Sequence, residues 1–590
     1  MLSKNEFAIV NALRTNAEVG SQAELATITG LSVGTVNSTL RTLRKNGLAT
    51  NERPFSLTEE GLASLEPYRV KNAVIMAAGL SSNFAPISYE KPKGLLRVRG
   101  EILIERQIEQ LIEAGIKDIT VVVGYLKEQF FYLAEKYGVK LVVNEEYATR
   151  GNHSTLYLVR DILDNTYICS SDNYFTENVF EPFVYEAYYA GIFTEGHTDE
   201  YCFHVKSRDV IDRISLDGEN CWSMLGHAYF DRAFSKQFGP MLEEAMALPA
   251  TRVNLWEDVL RENIRSLRMV LRRYEPGIIY EFDTLDDVSE FDPEFINLVD
   301  SSIMDNICKV LGCARSDISQ IEPITQGLTN ISFSFRVGPQ RYVYRHPGPA
   351  TDGIISRDSE TYSEKIAHEL DLDDTFIYED EAEGWKISRF IENCVPFDYH
   401  NPEHVREGIA LGRKLHQAKR QSQWSFDVYA KAEEICEMLS ARSRDQFTDF
   451  KEMQERAKQL NDFVKSDNVE QVLCHNDFYD PNFLVGEDRI RLIDWEYSGM
   501  SDYASDLGTF ICCSDYTFEE ANEVLEIYFE RKPTPEELRH CYAYVGLSSW
   551  YWFVWAILQE AQDNPVGEYL LLWYQYANLF GKKAVELYQA

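Results

Sequence analysis

Two short apolar stretches late in the chain, VLCHNDFYDPNFLV and IRLIDWEYSG, carry polar residues at fixed offsets. Asp477 and Asn482 are five apart, and Asp494 follows twelve residues later on the next apolar strand. Carboxylates and amides beside buried strands are costly unless something compensates them. Phosphoryl transfer needs this set of groups: one carboxylate to orient a hydroxyl and accept its proton, and an amide with a second carboxylate to hold Mg²⁺ on ATP phosphates. Any fold for this region must therefore bring Asp477, Asn482 and Asp494 together at one end of two strands.

The rest of the chain is long enough for more than one such site. Its 590 residues suit about three to four domains. A hydrophobic fraction of 45% with 13% aromatics indicates a globular protein. The net charge of −37 argues against general nucleic-acid binding, because a phosphate backbone would be repelled. It suits a cationic substrate and equally suits a solubilising surface. Eleven cysteines without a CxxC pair read as reduced thiols in a cytosol. The N-terminus lacks the apolar run and cleavage site of a signal peptide. No run of about 18 apolar residues suggests a membrane span. The expected location is cytoplasmic.

Three segments follow from the pattern. Residues 1–70 read as helix, tight turn at Gly30, and helix over Ser32–Asn46, with Val33, Val36, Leu40 and Leu43 on one apolar face. LATNERPFSLTEEG then reads as a short hairpin. This order resembles a winged helix-turn-helix, with Ser32–Asn46 as the recognition helix. Seven basic and seven acidic residues leave the segment neutral, so DNA contact and a packing or dimerisation role both stay open. Residues 71–298 alternate strands and helices, which predicts a mostly parallel, Rossmann-like α/β sheet with ligands at the strand C-termini. Residues 299–590 begin with a hairpin turning at Gly338-Pro339 and end in helices rich in Trp and Tyr. An α+β fold is expected there.

In the middle segment, AVIMAAG runs into AAGLSSNFAP and EKPKGLL, and a later strand ends at Asp172. A strand opening into a small-residue loop lets backbone N–H groups face a triphosphate. With NHSTLYLV, SSDNYF, LWEDVLRENI and IYEFDTLDD, this stretch resembles the sugar-phosphate and phosphocholine nucleotidyltransferase family, with a near likeness to bacterial CTP:phosphocholine cytidylyltransferases. The resemblance implies that Ala77, Ala78, Gly79 and Ser82 hold the nucleotide and that Lys93 neutralises the reacting phosphates. It implies that Asp172 and Asp283 hold Mg²⁺. Asn152 and Ser154 are candidates for base or ribose contacts. A quaternary ammonium calls for aromatic faces and carboxylates, and Tyr174, Trp256 and Glu257 are candidates, with core packing the alternative for Trp256. The family usually has Arg where this chain has Asn83. Three readings follow: weaker CTP binding, compensation by Lys91, or an inactive domain. Lys93, Asp172 and Asp283 favour activity.

The last segment resembles the choline kinase and aminoglycoside phosphotransferase family, nearest to bacterial choline kinases through IDWEYSG, QGLTN and YVYRHPG. That resemblance implies a protein-kinase-like fold with Asp477 as base, Asn482 and Asp494 on Mg²⁺, and His475 bracing the loop. Arg345 would contact ATP phosphates, paired with Glu360, and residues 326–330 would cover those phosphates. SSWYWFVWAILQE places Trp552 and Trp555 three apart on one helical face. They would wall a choline pocket, with Glu496 and Asp494 supplying negative potential. A further wall is expected from the region Tyr569–Tyr576.

Together the two resemblances imply a transferase that phosphorylates choline with ATP and joins phosphocholine to CTP. The alternatives are the same chemistry on ethanolamine or another amino alcohol, or a DNA-binding regulator that uses a catalytic domain as a sensor.

Overall fold

Serine caps set the first helices. Ser3, Ser21 and Ser32 each accept from a backbone N–H in the first turn of Lys4–Thr15, Gln22–Thr29 and Val33–Lys45. Gly30 ends the second helix in the left-handed region, at φ 68°. Val36, Leu40 and Leu43 are buried, but Val33, in the first turn, projects past the core and is half exposed. The expected hairpin is reduced to one bridge between Ala49 and Leu57. The computed structural model describes all residues except 17, 52, 325–329, 348–356, 563 and 565.

The chain forms two compact units, Met1–Ser316 and Asp317–Ala590. In the first, the winged helix packs on the α/β domain. Tyr68 stacks with Tyr185, Phe7 meets both rings at a tilt, and the Arg14 and Arg69 guanidinium groups lie 5.0 and 4.5 Å from the Phe183 ring centroid. Lys4 pairs with Glu186 at 2.8 Å.

The α/β sheet is built on four parallel strands in the order Thr166–Ser170, Asn72–Ala77, Ile119–Val123, Lys140–Val143. Asn72–Ala77 and Ile119–Val123 are almost wholly buried, as expected for parallel strands covered on both faces. An antiparallel extension follows, led by the long strands Tyr188–Thr198 and Gly218–Phe230. Cys202 and Cys221 form a disulfide across its adjacent strands, their Cα atoms 6.0 Å apart. This corrects the expectation that all the thiols are reduced. The other nine cysteines are free. The sequence pattern places a boundary near 299, whereas the first unit continues through the helix Ser302–Leu311.

The second unit opens with a five-stranded antiparallel sheet. Its central hairpin, Asn330–Val337 and Gln340–Pro347, turns at Gly338-Pro339 as expected. The helix Arg357–Glu369 follows. A helical lobe carries the small hairpin Phe483–Val485 with Ile490–Leu492. It is centred on Pro535–Ala561, a 27-residue helix buried on every side over Trp550–Val554, as a helix inside a large core must be. Among the described residues, no helix is long and apolar enough to cross a membrane.

Candidate active sites

In the first unit the strand Asn72–Ala77 delivers Ala77 and Ala78 to a loop at its C-terminal end. The Tyr125 N–H donates to the Ala78 carbonyl at 3.1 Å. Gly124 permits this approach, since a Cβ there would lie 2.7 Å from the same oxygen. Gly79 and Ser82 face open space or solvent. Thus the loop is anchored from below and open above.

Lys93 stands over the end of the neighbouring strand. Its Nζ lies 2.6 Å from Asp172 and 3.8 Å from Asp283, and 4.7 Å from the Phe84 ring centroid. Burial raises the Asp172 carboxyl, but the Lys93 charge outweighs this and holds it below the usual range. Asp172 Oδ1 is buried with no hydrogen-bond partner among the described residues. The structure adds Glu281, which sequence reasoning missed. It is partly buried, and that burial, followed by the charges of Asp172 and Asp283, pushes its carboxyl well above normal. Gly226, at φ 53°, makes room for it, since a Cβ there would sit 2.8 Å from Glu281 Oε1. Glu200 also faces the cluster and is raised by burial and by Asp283. Period-two alternation in IYEFD places Glu281 on the same strand face as Asp283, a signal present in the sequence. The oxygen donors Asp172, Glu281 and Asp283 match the preference of Mg²⁺.

Five expectations in this unit are corrected. Trp256 is core: it stacks on Tyr189 at 5.5 Å and meets Phe230 and Phe238 edge-on, and it is 1% exposed. Asn152 spends its amide on the helix that Trp256 begins, accepting from the Trp256 N–H at 2.7 Å and donating to Glu257 at 3.4 Å. Ser154 is likewise spent internally, on Gly151 and Asn144. Tyr174 donates to Glu101, and the Arg106 guanidinium already covers its ring at 4.6 Å. Glu257 is engaged by Asn152 and Tyr189, and burial pushes its carboxyl up to about 7.

In the second unit Asp477, Asn482 and Asp494 come together. Asn482 Nδ2 donates to the Asp477 carbonyl and to Asp477 Oδ2, both at 2.8 Å. Asp477 Oδ1 is buried with no hydrogen-bond partner among the described residues. Burial, then Asp494, raises the Asp477 carboxyl well above its usual range. His475 braces the loop: one ring nitrogen bonds the Ile493 carbonyl at 2.9 Å and the other accepts from the Asp477 N–H at 3.3 Å. Asp506, unforeseen, accepts from the His475 and Asn476 N–H groups and from His416.

Arg345 is buried and pairs with Glu360 at 2.5 Å, with Glu379 at 3.4 Å and with Asp494 at 3.7 Å. Burial opposes the charge on Glu360, but Arg345 wins and holds it down at about 2. Lys386, opposite Arg345 on the neighbouring strand, pairs with Glu360 and Glu364. Most of the loop expected over the phosphates, 326–329, lies outside the described residues, as does the side chain of Asn330.

An aromatic cluster adjoins the Asp477 loop. Trp552 meets Trp555 edge-on at 5.6 Å and stacks with Trp573 at 5.7 Å. Tyr569 stacks on Trp573 at 5.1 Å, so these two join the same cluster. Tyr479 and Tyr497 approach Trp552 at 6.2 and 6.4 Å. Tyr479 lies two residues past Asp477, and Tyr497 directly follows Glu496. Burial and Asp494 push Glu496 up to about 8. Aromatic faces and carboxylates in this arrangement suit an organic cation.

Comparison with known proteins agrees with this division. Residues 2–50 match the winged helix-turn-helix DNA-binding family, residues 73–214 the MobA-like NTP transferase domain, and residues 321–548 choline/ethanolamine kinase. Over 215 residues the chain is 35% identical to the choline-phosphate cytidylyltransferase of Streptococcus pneumoniae, covering 36% of this chain and 94% of that protein. It is 36% identical to a 2-aminoethylphosphonate cytidylyltransferase of Lancefieldella rimae, covering 39% and 95%. Protein LicA of Haemophilus influenzae is 24% identical, covering 41% and 95%. The chain is a transferase that belongs to the nucleotidyltransferase family of these cytidylyltransferases through its first unit and carries a choline/ethanolamine kinase domain as its second.

Proposed function

We propose that the second unit phosphorylates choline with ATP and that the first joins the resulting phosphocholine to CTP. The observation that supports choline is the cluster of Trp552, Trp555, Trp573 and Tyr569 beside the Asp477 loop. A quaternary ammonium donates no ordinary hydrogen bond, and an aromatic face contributes about 0.5–2 kcal/mol per good contact. Asp477 accepts the hydroxyl proton as the oxygen attacks the γ-phosphorus and ADP leaves. Arg345 steadies the ATP phosphates. In the first unit a phosphocholine oxygen attacks the α-phosphorus of CTP, the bond to the bridging oxygen breaks, and pyrophosphate departs. Lys93 sits where it can neutralise the reacting phosphates. Asp172 and Asp283 in one unit, and Asn482 and Asp494 in the other, would hold Mg²⁺, which supplies charge neutralisation on the phosphates. ATP and CTP are made in the cytoplasm, the ground for proposing that location.

The intact protein given choline, ATP, CTP and Mg²⁺ is expected to yield phosphocholine and then CDP-choline, followed by mass. Ethanolamine outcompeting choline would overturn the choline assignment, and transfer to 2-aminoethylphosphonate but not phosphocholine would uncouple the two units.

A second reading concerns the N-terminal domain. The outer face of Val33–Lys45 exposes Asn37, Ser38, Arg41, Thr42 and Lys45, groups able to reach phosphates and base edges. We propose that this face can contact duplex DNA. Gel shifts of the full chain should weaken as salt rises; no salt-sensitive shift would end this reading.

A further inference from the structure

Lys93 reaches the acidic site from a short turn that is closely held. Gly94 lies against Ser171, where a Cβ would come within 2.9 Å of the serine side chain. Pro92 precedes Lys93 and fixes its own φ. Two residues further back, Glu90 is fastened at both ends. Its carbonyl accepts from Gln129 Nε2 at 2.9 Å, and its N–H donates to the Ile87 carbonyl at 3.1 Å. Its carboxylate accepts from Ser301 Oγ at 2.5 Å, the Ser302 N–H at 2.8 Å, Ser302 Oγ, and the Ile303 N–H at 3.3 Å.

Those donors open the helix Ser302–Leu311. A helix start presents unpaired N–H groups and partial positive charge, and Glu90 meets both. Arg315, just past the helix, reaches back to the same end. Its guanidinium donates to the carbonyls of Ile296, Val299 and Ser301 and pairs with Asp305 at 2.7 Å. Ile303, Met304 and Ile307 are fully buried. Residues 301–315 lie outside all three matched family ranges, yet they grip the turn that carries Lys93.

We propose that Glu90 is a positioning residue for Lys93 and that the Ser301–Arg315 segment is a working part of the nucleotidyltransferase site. The proposal rests on the reading of Lys93 as a group that acts on the reacting phosphates. Glu90 is three residues before Lys93; the helix start holds Glu90 on one side of it, and Ser171 lies against Gly94 on the other. Releasing Glu90 lets the turn drift, and a displacement of about 1 Å costs up to about 10²-fold in rate.

The test uses the full chain as wild type, Glu90→Gln, Ser301→Ala/Ser302→Ala, and all three changes combined. Cytidylyl transfer is assayed with phosphocholine and with 2-aminoethylphosphonate, and ATP-dependent phosphorylation of choline is measured on the same samples. Glu90→Gln and the double serine variant should each lower kcat about tenfold or more. The acceptor KM should stay within about twofold, and phosphorylation should be unchanged. The combined variant should be no worse than the worse of the two, because both remove one clamp. Wild-type transfer in Glu90→Gln, losses that multiply, or a parallel fall in phosphorylation would each overturn the proposal. If the wild type transfers to neither acceptor, the proposed reaction fails on its own. The clamp is then judged by calorimetric affinity for CTP with Mg²⁺, which Glu90→Gln should weaken about tenfold; unchanged affinity would refute it.

Discussion

Replacing Asp477 with Ala is expected to lower ATP-dependent phosphorylation by about 10²–10⁴-fold, the range for removing a general base, and to leave nucleotidyl transfer from CTP untouched. One oxygen of Asp477 accepts from Asn482 and the other is buried with no partner among the described residues. That second oxygen is the acceptor a substrate hydroxyl would find. Asp477→Asn is the sharper variant. It keeps the shape and an oxygen for Asn482 but cannot take a proton. It also removes a charge that Asp494 and Glu496 oppose. Its melting temperature should therefore match or exceed that of the wild type, as when a strained catalytic group is removed. Thermal unfolding together with product formation from choline and ATP separates the two effects. An Asn variant that retains more than about a tenth of the wild-type rate would remove Asp477 from the role of base.

Offsets along the chain made the proposed reacting groups legible. Asp477, Asn482 and Asp494 sit at strand ends within one short stretch, and the structure brings them together. Lys93, Asp172 and Asp283 lie further apart: Asp172 and Asp283 each follow a strand, whereas Lys93 opens a short turn. What stayed hidden needed tertiary contacts. Trp573 and Tyr569 join Trp552 only because two long helices pack side by side. Trp256 opens a helix beside a carboxylate, and an aromatic there reads alike in a core and in a pocket. Its near-complete burial among Tyr189, Phe230 and Phe238 decides the matter. Tyr174 offered a ring face until Arg106 was found covering it. Glu90, in EKPK, reads as one more solvated charge; its four donors come from a helix more than two hundred residues away in sequence.

Charge is distributed unevenly within both sites. In each, carboxylates outnumber the cations beside them: Asp172, Glu281 and Asp283 around Lys93, and Asp477, Asp494 and Glu496 near Arg345. Such clusters are poorly stable by themselves, since like charges in a low-dielectric site push protons back on. Raised carboxyls on Glu281, Asp477 and Glu496 express that tension. Folding alone would favour fewer acids, so their retention fits sites arranged to receive positive charge.

Asp172→Ala should show the converse of Asp477→Ala, with nucleotidyl transfer reduced about 10²–10³-fold, the scale for losing one fixed electrostatic contact in a transition state, and phosphorylation intact. The expected cost to stability is smaller than the burial of the pair suggests. Removing one partner of a buried ion pair usually costs about 3–5 kcal/mol, because the survivor is left uncompensated. Here Lys93 has Asp283 at 3.8 Å, and Glu281 is kept above its usual range partly by Asp172 itself. Once Asp172 is gone, Glu281 ionises more readily and takes up the Lys93 charge, so the melting temperature should fall by only a few degrees. Lys93 is then drawn away from the strand end, and the oxygen that Asp172 presents is lost. Both changes act on the reaction and not on the fold. Scanning calorimetry of the intact chain alongside the two assays reads each consequence separately. A folded Asp172→Ala protein that still transfers at the wild-type rate, or one in which both reactions stop, would break the assignment of one activity to each unit.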